Sequence, residues 1–114
     1  MKTLFIKKEN TFDKICSGLK KIELRLLREG GFFDTKKFEI GEEIEFEHNK
    51  EKCEAIITDV KIFKNFQECV NELDINDVFG YRISQGSLLD HYNKLYVTGF
   101  NEHPIISISF KLVN

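Results

Sequence analysis

The sequence predicts an α+β domain with a small, mostly antiparallel β-barrel and two or three flanking helices. Three observations lead there. Helical and strand patterns follow one another as strand, helix, strand, strand, strand, helix, helix, strand, without the strict β-α alternation of a parallel sheet. The 114 residues suffice for one core, whereas halves below about 60 residues would bury too little surface, so residues 1–114 are expected to form a single domain. Several strands alternate apolar and polar residues, and curling such a sheet hides the edges it would otherwise expose.

Lys2 to Ile6 reads as a short first strand. Asn10 or Thr11 then caps a helix with Phe12, Ile15, Cys16 and Leu19 on one face, at i, i+3, i+4 and i+7, and Gly18 is placed to end it at positive φ. The period changes to two over Lys20 to Leu27. There Ile22, Leu24 and Leu26 alternate with Lys21, Glu23 and Arg25, which predicts a half-buried strand with one charged face. Glu29 to Lys37 contains Gly30-Gly31 and reads as a loop with Phe32 and Phe33 at its tip. Gly41 marks a turn into an alternating strand over Ile44 to Glu47, and His48 to Glu51 forms a polar hairpin turn. Lys52 to Phe63 is a long strand carrying Ala55, Ile57, Val60 and Ile62, with a bulge near Thr58-Asp59 where the apolar phase slips.

Asn65-x-x-Glu68 is a capping box that opens a helix with Phe66, Cys69, Val70 and Leu73 on its apolar face. Asp74 to Gly80 reads as a turn with Ile75, Val78 and Phe79 inward. Ser84 or Ser87 starts a third helix running to about Tyr96 with Leu88, Leu89, Tyr92 and Leu95. Beyond Pro104, Ile105 to Val113 is the last strand, with Ile106, Ile108, Phe110 and Leu112 alternating with Ser107, Ser109 and Lys111.

The net charge of −2 argues against strong non-specific nucleic-acid binding. Its distribution is uneven. Residues 1–37 hold ten basic and five acidic side chains, residues 38–114 seven basic and fourteen acidic, so the first third can form a moderate basic patch if it folds onto one side. No apolar run approaches the ~20 residues that span a bilayer, and the apolar part of the opening residues is too short for a signal peptide, so a cytoplasmic location and no membrane partner are expected. Cys16, Cys53 and Cys69 are odd in number and widely spaced, with no Cys-x-x-Cys pair, and read as buried thiols. His48, His91 and His103 are scattered and read as surface histidines. No metal-ligand cluster, Gly-rich phosphate loop or Ser-His-Asp pattern is present, so no metal or cofactor is expected.

The densest concentration of chemistry is Ser17-Gly18-Leu19-Lys20-Lys21-Ile22-Glu23-Leu24-Arg25. A Glu and an Arg two apart on a strand face can pair, which holds the guanidinium at a set angle, and a pre-aimed guanidinium is a fork for a phosphate or a base edge. A neighbouring Lys adds a point charge. Charge spacing alone equally describes a solvated strand face with a surface salt bridge. Phe32, Phe33 and Tyr81 lie in predicted loops, where they either stack on an unpaired base or cap the barrel.

The segment Gly18-x-Lys20-x-x-Glu23-x-Arg25 after a short helix resembles the signature of the ASCH (activating signal cointegrator homology) family. Gly41-Glu42-Glu43-Ile44 sits where that family has a Gly-Asp-x-Ile turn, with Glu42 in place of the Asp. Ile57-Thr58-Asp59-Val60 followed by Phe63-x-x-Phe66 matches its strand-to-helix step, and Tyr96 with Ile105 to Phe110 matches its end, so the resemblance covers nearly the whole chain. It implies a fold similar to the PUA domain, an RNA-binding barrel, and an RNA- or nucleotide-binding cleft beside the Gly18–Arg25 segment. The implied ligand residues are Gly18, Lys20, Lys21, Glu23 and Arg25, and the implied partner is an RNA, a nucleoside or a nucleotide.

A minority of the family are enzymes, so the alternative is a small amidohydrolase- or ribonuclease-like hydrolase acting on a nucleoside or RNA, with Lys20 and Glu23 as its acid-base pair. The amidohydrolase branch carries a nucleophilic Thr where this chain has Glu23, and a carboxylate does not replace a hydroxyl nucleophile attacking an amide. Its later catalytic Glu has no clear counterpart here; Glu68 and Glu72 fall in the right region but on a helix surface. A third reading is a protein-interaction domain using the acidic strand around Glu43, Glu45 and Glu47. A monomer is allowed, and the sequence leaves the oligomeric state open.

Overall fold

The computed structural model describes residues 1–27, 30–34, 37–80, 90 and 103–113. The elements are β1 Lys2–Phe5, α1 Glu9–Cys16, β2 Ile22–Leu26, β3 Glu43–His48, β4 Glu51–Phe63, α2 Phe66–Glu72, α3 Ile75–Phe79 and β5 Ile105–Leu112; they follow the expected order up to α2, and α3 stands where a turn was expected. Apart from Asp90, the expected helix over residues 84–96 lies outside the described residues, as do Tyr81, His91 and Tyr96.

The strands form one mixed sheet in the order β1-β3-β4-β5-β2. Only β1 and β3 run parallel among the described pairs; β3–β4, β4–β5 and β5–β2 are antiparallel. The hairpin between β3 and β4 turns on Asn49 and Lys50, both at positive φ (47° and 71°), the backbone that matches a tight two-residue turn to strand twist. The long strand β4 slips register between Ile57 and Asp59, at the bulge expected from the sequence. The sheet curves into a half-barrel whose outermost strands, β1 and β2, are joined by a side-chain hydrogen bond from Arg25 to the Phe5 carbonyl.

The curvature divides the apolar residues in two. One cluster lies on the concave side under α1 and includes Leu4, Phe12, Ile15, Phe38, Phe46, Ile106, Ile108 and Phe110. The other lies between the outer face of the sheet and α2 and α3, and includes Ile22, Leu24, Phe63, Phe66, Cys69, Val78, Phe79 and Ile105. Strand β2 is therefore covered on both faces. Leu24, opposite Ser107, faces the helices, whereas Glu23 and Arg25 lie opposite Ile108 and Ile106 and share their concave side. The same double cover buries Ser107, which sequence alternation places on a polar face.

Several local expectations change. α1 starts at Glu9 behind Lys8, with no side-chain cap, so Asn10 and Thr11 lie inside it. Leu19, expected on its apolar face, is exposed because the helix ends at Cys16 and the chain reverses at Gly18. Asp74 to Gly80 is a helix, α3, not a turn: the Asp74 carboxylate accepts from the Asn76 N–H at 2.9 Å, and Gly80 closes it at φ 75°. The Asn65 cap of α2 is as read, its side-chain oxygen accepting from the Glu68 N–H at 3.0 Å. His48 is half-buried, its Nδ1 2.8 Å from the Ile6 carbonyl oxygen and its ring beside Phe12. Cys69 is buried, and burial pushes its thiol up to about 12. Among the described residues no helix is long and apolar enough to cross a membrane.

Candidate functional site

The site is built where the end of α1, the start of β2 and the end of α3 meet. After α1, Gly18 takes φ 81° and the backbone N–H groups of Leu19 and Lys20 both donate to the Lys14 carbonyl, each at 3.0 Å. One residue on, the Lys21 N–H donates to the Asp77 carbonyl at 2.7 Å, which ties the segment to α3. Gly80 makes this approach possible. A Cβ there would lie 3.1 Å from both the Lys20 nitrogen and the Lys14 Cβ, on a backbone with positive φ.

The Lys20 side chain runs inward and is only 5% exposed. Its Nζ donates to the carbonyls of Ile22, at 2.7 Å, and Val78, and lies 3.3 Å from Glu23 Oε1. An ammonium has three donors, and here each has an acceptor. Burial pulls the Lys20 pKa down, the Glu23 carboxylate offsets part of that, and the like charges of Arg25 and Lys14 add to the fall.

Glu23 is also buried and shared between two cations: Oε1 faces Lys20 and Oε2 accepts from Arg25 Nη2 at 3.1 Å. Burial alone pushes its carboxyl up, but Lys20 and Arg25 together outweigh burial and hold it below the usual carboxylate range.

Arg25 differs from both. Its side chain remains 26% exposed. Nη2 is held between Glu23 Oε2, at 3.1 Å, and the Phe5 carbonyl, at 3.2 Å. The guanidinium carbon sits 4.9 Å from the centroid of the Phe33 ring. Phe33 in turn stacks on Phe38, with centroids 6.1 Å apart and planes 12° from parallel, and Phe32 meets both edge-on. Among the described residues Nε and Nη1 of Arg25 make no hydrogen bond.

The structure thus brings Lys20, Glu23 and Arg25 into one chain of contacts, with net positive charge. Lys21 is exposed outside that chain, and Gly18 contributes its backbone turn, with no atom within 4 Å of where a Cβ would stand. The charged face of β2 is not the solvated strand face that period two describes, because it forms part of the concave side of a curled sheet. Sequence reasoning missed four supports: the Phe5 and Val78 carbonyls, the Gly80 close approach and Asp34. The Asp34 carboxylate accepts from the Gly30 N–H at 2.8 Å and its carbonyl from the Lys37 N–H at 2.9 Å, closing the loop that presents Phe33. Only the pairing of a left-handed Gly30 with an Asp four residues on hinted at that closure. Glu68 and Glu72 lie on α2, against the opposite face of the sheet from Glu23. Among the described residues no three His, Cys, Asp or Glu side chains converge as metal ligands do.

The whole arrangement has solved counterparts. The chain is similar to the crystal structure of an ASCH domain from Lactobacillus crispatus, with a TM-score of 0.70 at 13% identity over 97% of this chain and 78% of that one. The chain has the ASCH fold. Two hypothetical proteins share it: PH0355, with a TM-score of 0.76 at 21% identity over 99% of this chain and 100% of that one, and PF0455 from Pyrococcus furiosus, with 0.66 at 15% over 99% and 97%. No family model and no curated protein matches the sequence. For a chain with the ASCH fold, the Gly18–Arg25 segment occupies the edge of the half-barrel, where β2 faces β1.

Proposed function

We propose that this ASCH-fold chain is an RNA- or nucleotide-binding module that takes its ligand in the cleft beside residues 18–25, through the Arg25 end of the buried triad. One observation carries the reading. Arg25 is aimed by two acceptors on Nη2 while a quarter of its side chain stays exposed. A guanidinium already held in one orientation loses little freedom when a phosphate or a base edge docks on it. Glu23 sets that orientation, and exposed Lys21 adds positive charge to the same segment, about 13 Å along the chain. With a net charge of −2 for the chain, affinity is modest and falls as salt rises.

The hydrolase alternative requires Lys20 or Glu23 to exchange protons with a substrate. All three Nζ donors and both carboxylate oxygens are engaged inside the protein, which supports binding over turnover. NMR titration of the labelled chain with short RNAs and free nucleosides, beside Arg25→Ala, tests the proposal. Shifts centred on residues 18–25 and weakened in the variant are expected. Shifts confined to β3 and β4, or none with any ligand, would overturn it, and turnover of a nucleoside in the same samples would revive the hydrolase.

A further inference from the structure

Resting on that reading, we infer that the ligand is recognised through an unpaired base that stacks on the open face of Arg25, rather than through its phosphates alone. The buried end of the stack is fixed. Phe38 is part of the concave core, Phe33 lies nearly parallel to it, and the Arg25 guanidinium sits over Phe33 at 4.9 Å. The loop cannot easily withdraw Phe33, because Asp34 closes it through both its side chain and its carbonyl. The guanidinium is anchored in turn by Glu23 and by the Phe5 carbonyl.

What is exposed at the top of this stack is flat and cationic, and its rim is aromatic. Phe32, edge-on to Phe33, is 44% exposed. This is a large ring left in water beside the Phe33 ring that carries Arg25. A nucleobase supplies a π-face for the guanidinium and apolar area for the Phe32 ring, and its attached phosphate supplies the matching charge. A bare polyanion uses only the charge and leaves Phe32 exposed. A duplex keeps its bases stacked inside and offers no face to the shelf. The geometry therefore favours a single-stranded segment, a splayed loop base or a free nucleotide.

The test compares a short oligoadenylate with an abasic ribose-phosphate oligomer of the same length, on the wild type, Arg25→Lys and Phe32→Ala. The oligoadenylate is expected to bind the wild type about tenfold more tightly than the abasic oligomer, the size of one lost base stack. Arg25→Lys keeps the charge and removes the plane, so it should weaken oligoadenylate binding more than abasic binding and erase that difference. Phe32→Ala, at an exposed rim position, should shrink the difference without unfolding the chain. The Arg25 Nε–H resonance should move upfield with oligoadenylate and stay in place with the abasic oligomer. Equal binding of the two oligomers would overturn the stacking inference and leave the binding module intact. No binding of either would overturn both.

Discussion

Lys20 and Arg25 share one carboxylate and have opposite circumstances. Lys20 is enclosed, with its three donors spent on two carbonyls and Glu23. Arg25 is held at one nitrogen, backed by Phe33, and keeps 26% of its side chain exposed. The difference follows from position. Lys20 lies where α3 crosses the start of β2, so the Val78 carbonyl and Gly80 close over it. Arg25 lies toward the other end of β2, an outermost strand of the sheet, where the Phe5 carbonyl and the Phe33 ring meet it. A single sequence motif therefore contains a part that holds the fold and a part that is presented to a ligand.

Removing the shared carboxylate breaks both ends at once and should have the largest effect. Glu23→Gln leaves a buried ammonium without its counter-ion and is expected to cost about 3–5 kcal/mol by chemical denaturation. The cost depends on pH in a defined direction. The Glu23 pKa is lower in the folded chain, so its stabilisation is complete above the unfolded carboxylate value of about 4.3 and disappears as pH falls through the folded value. The gap between wild type and Glu23→Gln should therefore narrow on acidification below that point, and a gap independent of pH would contradict the pairing.

Lys20→Met isolates the enclosed end. It strands the Val78 and Ile22 carbonyls, and a loss of about 2–3 kcal/mol is expected from the charged hydrogen bonds. Once folded, the variant should bind RNA as the wild type does, which a titration at low temperature checks. Gly80→Ala attacks the same end from outside, through a left-handed backbone and a Cβ 3.1 Å from the Lys20 nitrogen, and should cost about 1–3 kcal/mol in thermal or chemical unfolding. The smallest stability effect belongs to Arg25→Gln, about 1 kcal/mol or less for a partly exposed pair.

Most of the chain order was legible because local rules decide it. The Asn65 cap, the bulge at Thr58-Asp59 and the left-handed Gly18 each depend on a few neighbouring residues, and the structure has them where the patterns put them. The motif residues were legible as a group for the same reason. What was not legible is what the group faces. Period two gives Glu23 and Arg25 a common side of β2, but whether that side meets water depends on curvature set by β1, β3 and β4, dozens of residues away. The partition between Lys20 and Arg25 was hidden too, because it rests on backbone carbonyls of Val78 and Phe5, which carry no signal in side-chain identity. α3 was read as a turn because five residues are too few to show a helical period, although Asp74 and Gly80 already marked its two ends.

The most direct test is to measure stability and RNA affinity on the same samples of wild type and Arg25→Gln. If the motif divides as its geometry divides, Arg25→Gln will unfold within about 1 kcal/mol of wild type and bind a short single-stranded RNA at least about tenfold more weakly. Wild-type affinity in Arg25→Gln, or a loss of stability as large as that of Glu23→Gln, would mean that Arg25 belongs to the scaffold and that the ligand is held elsewhere.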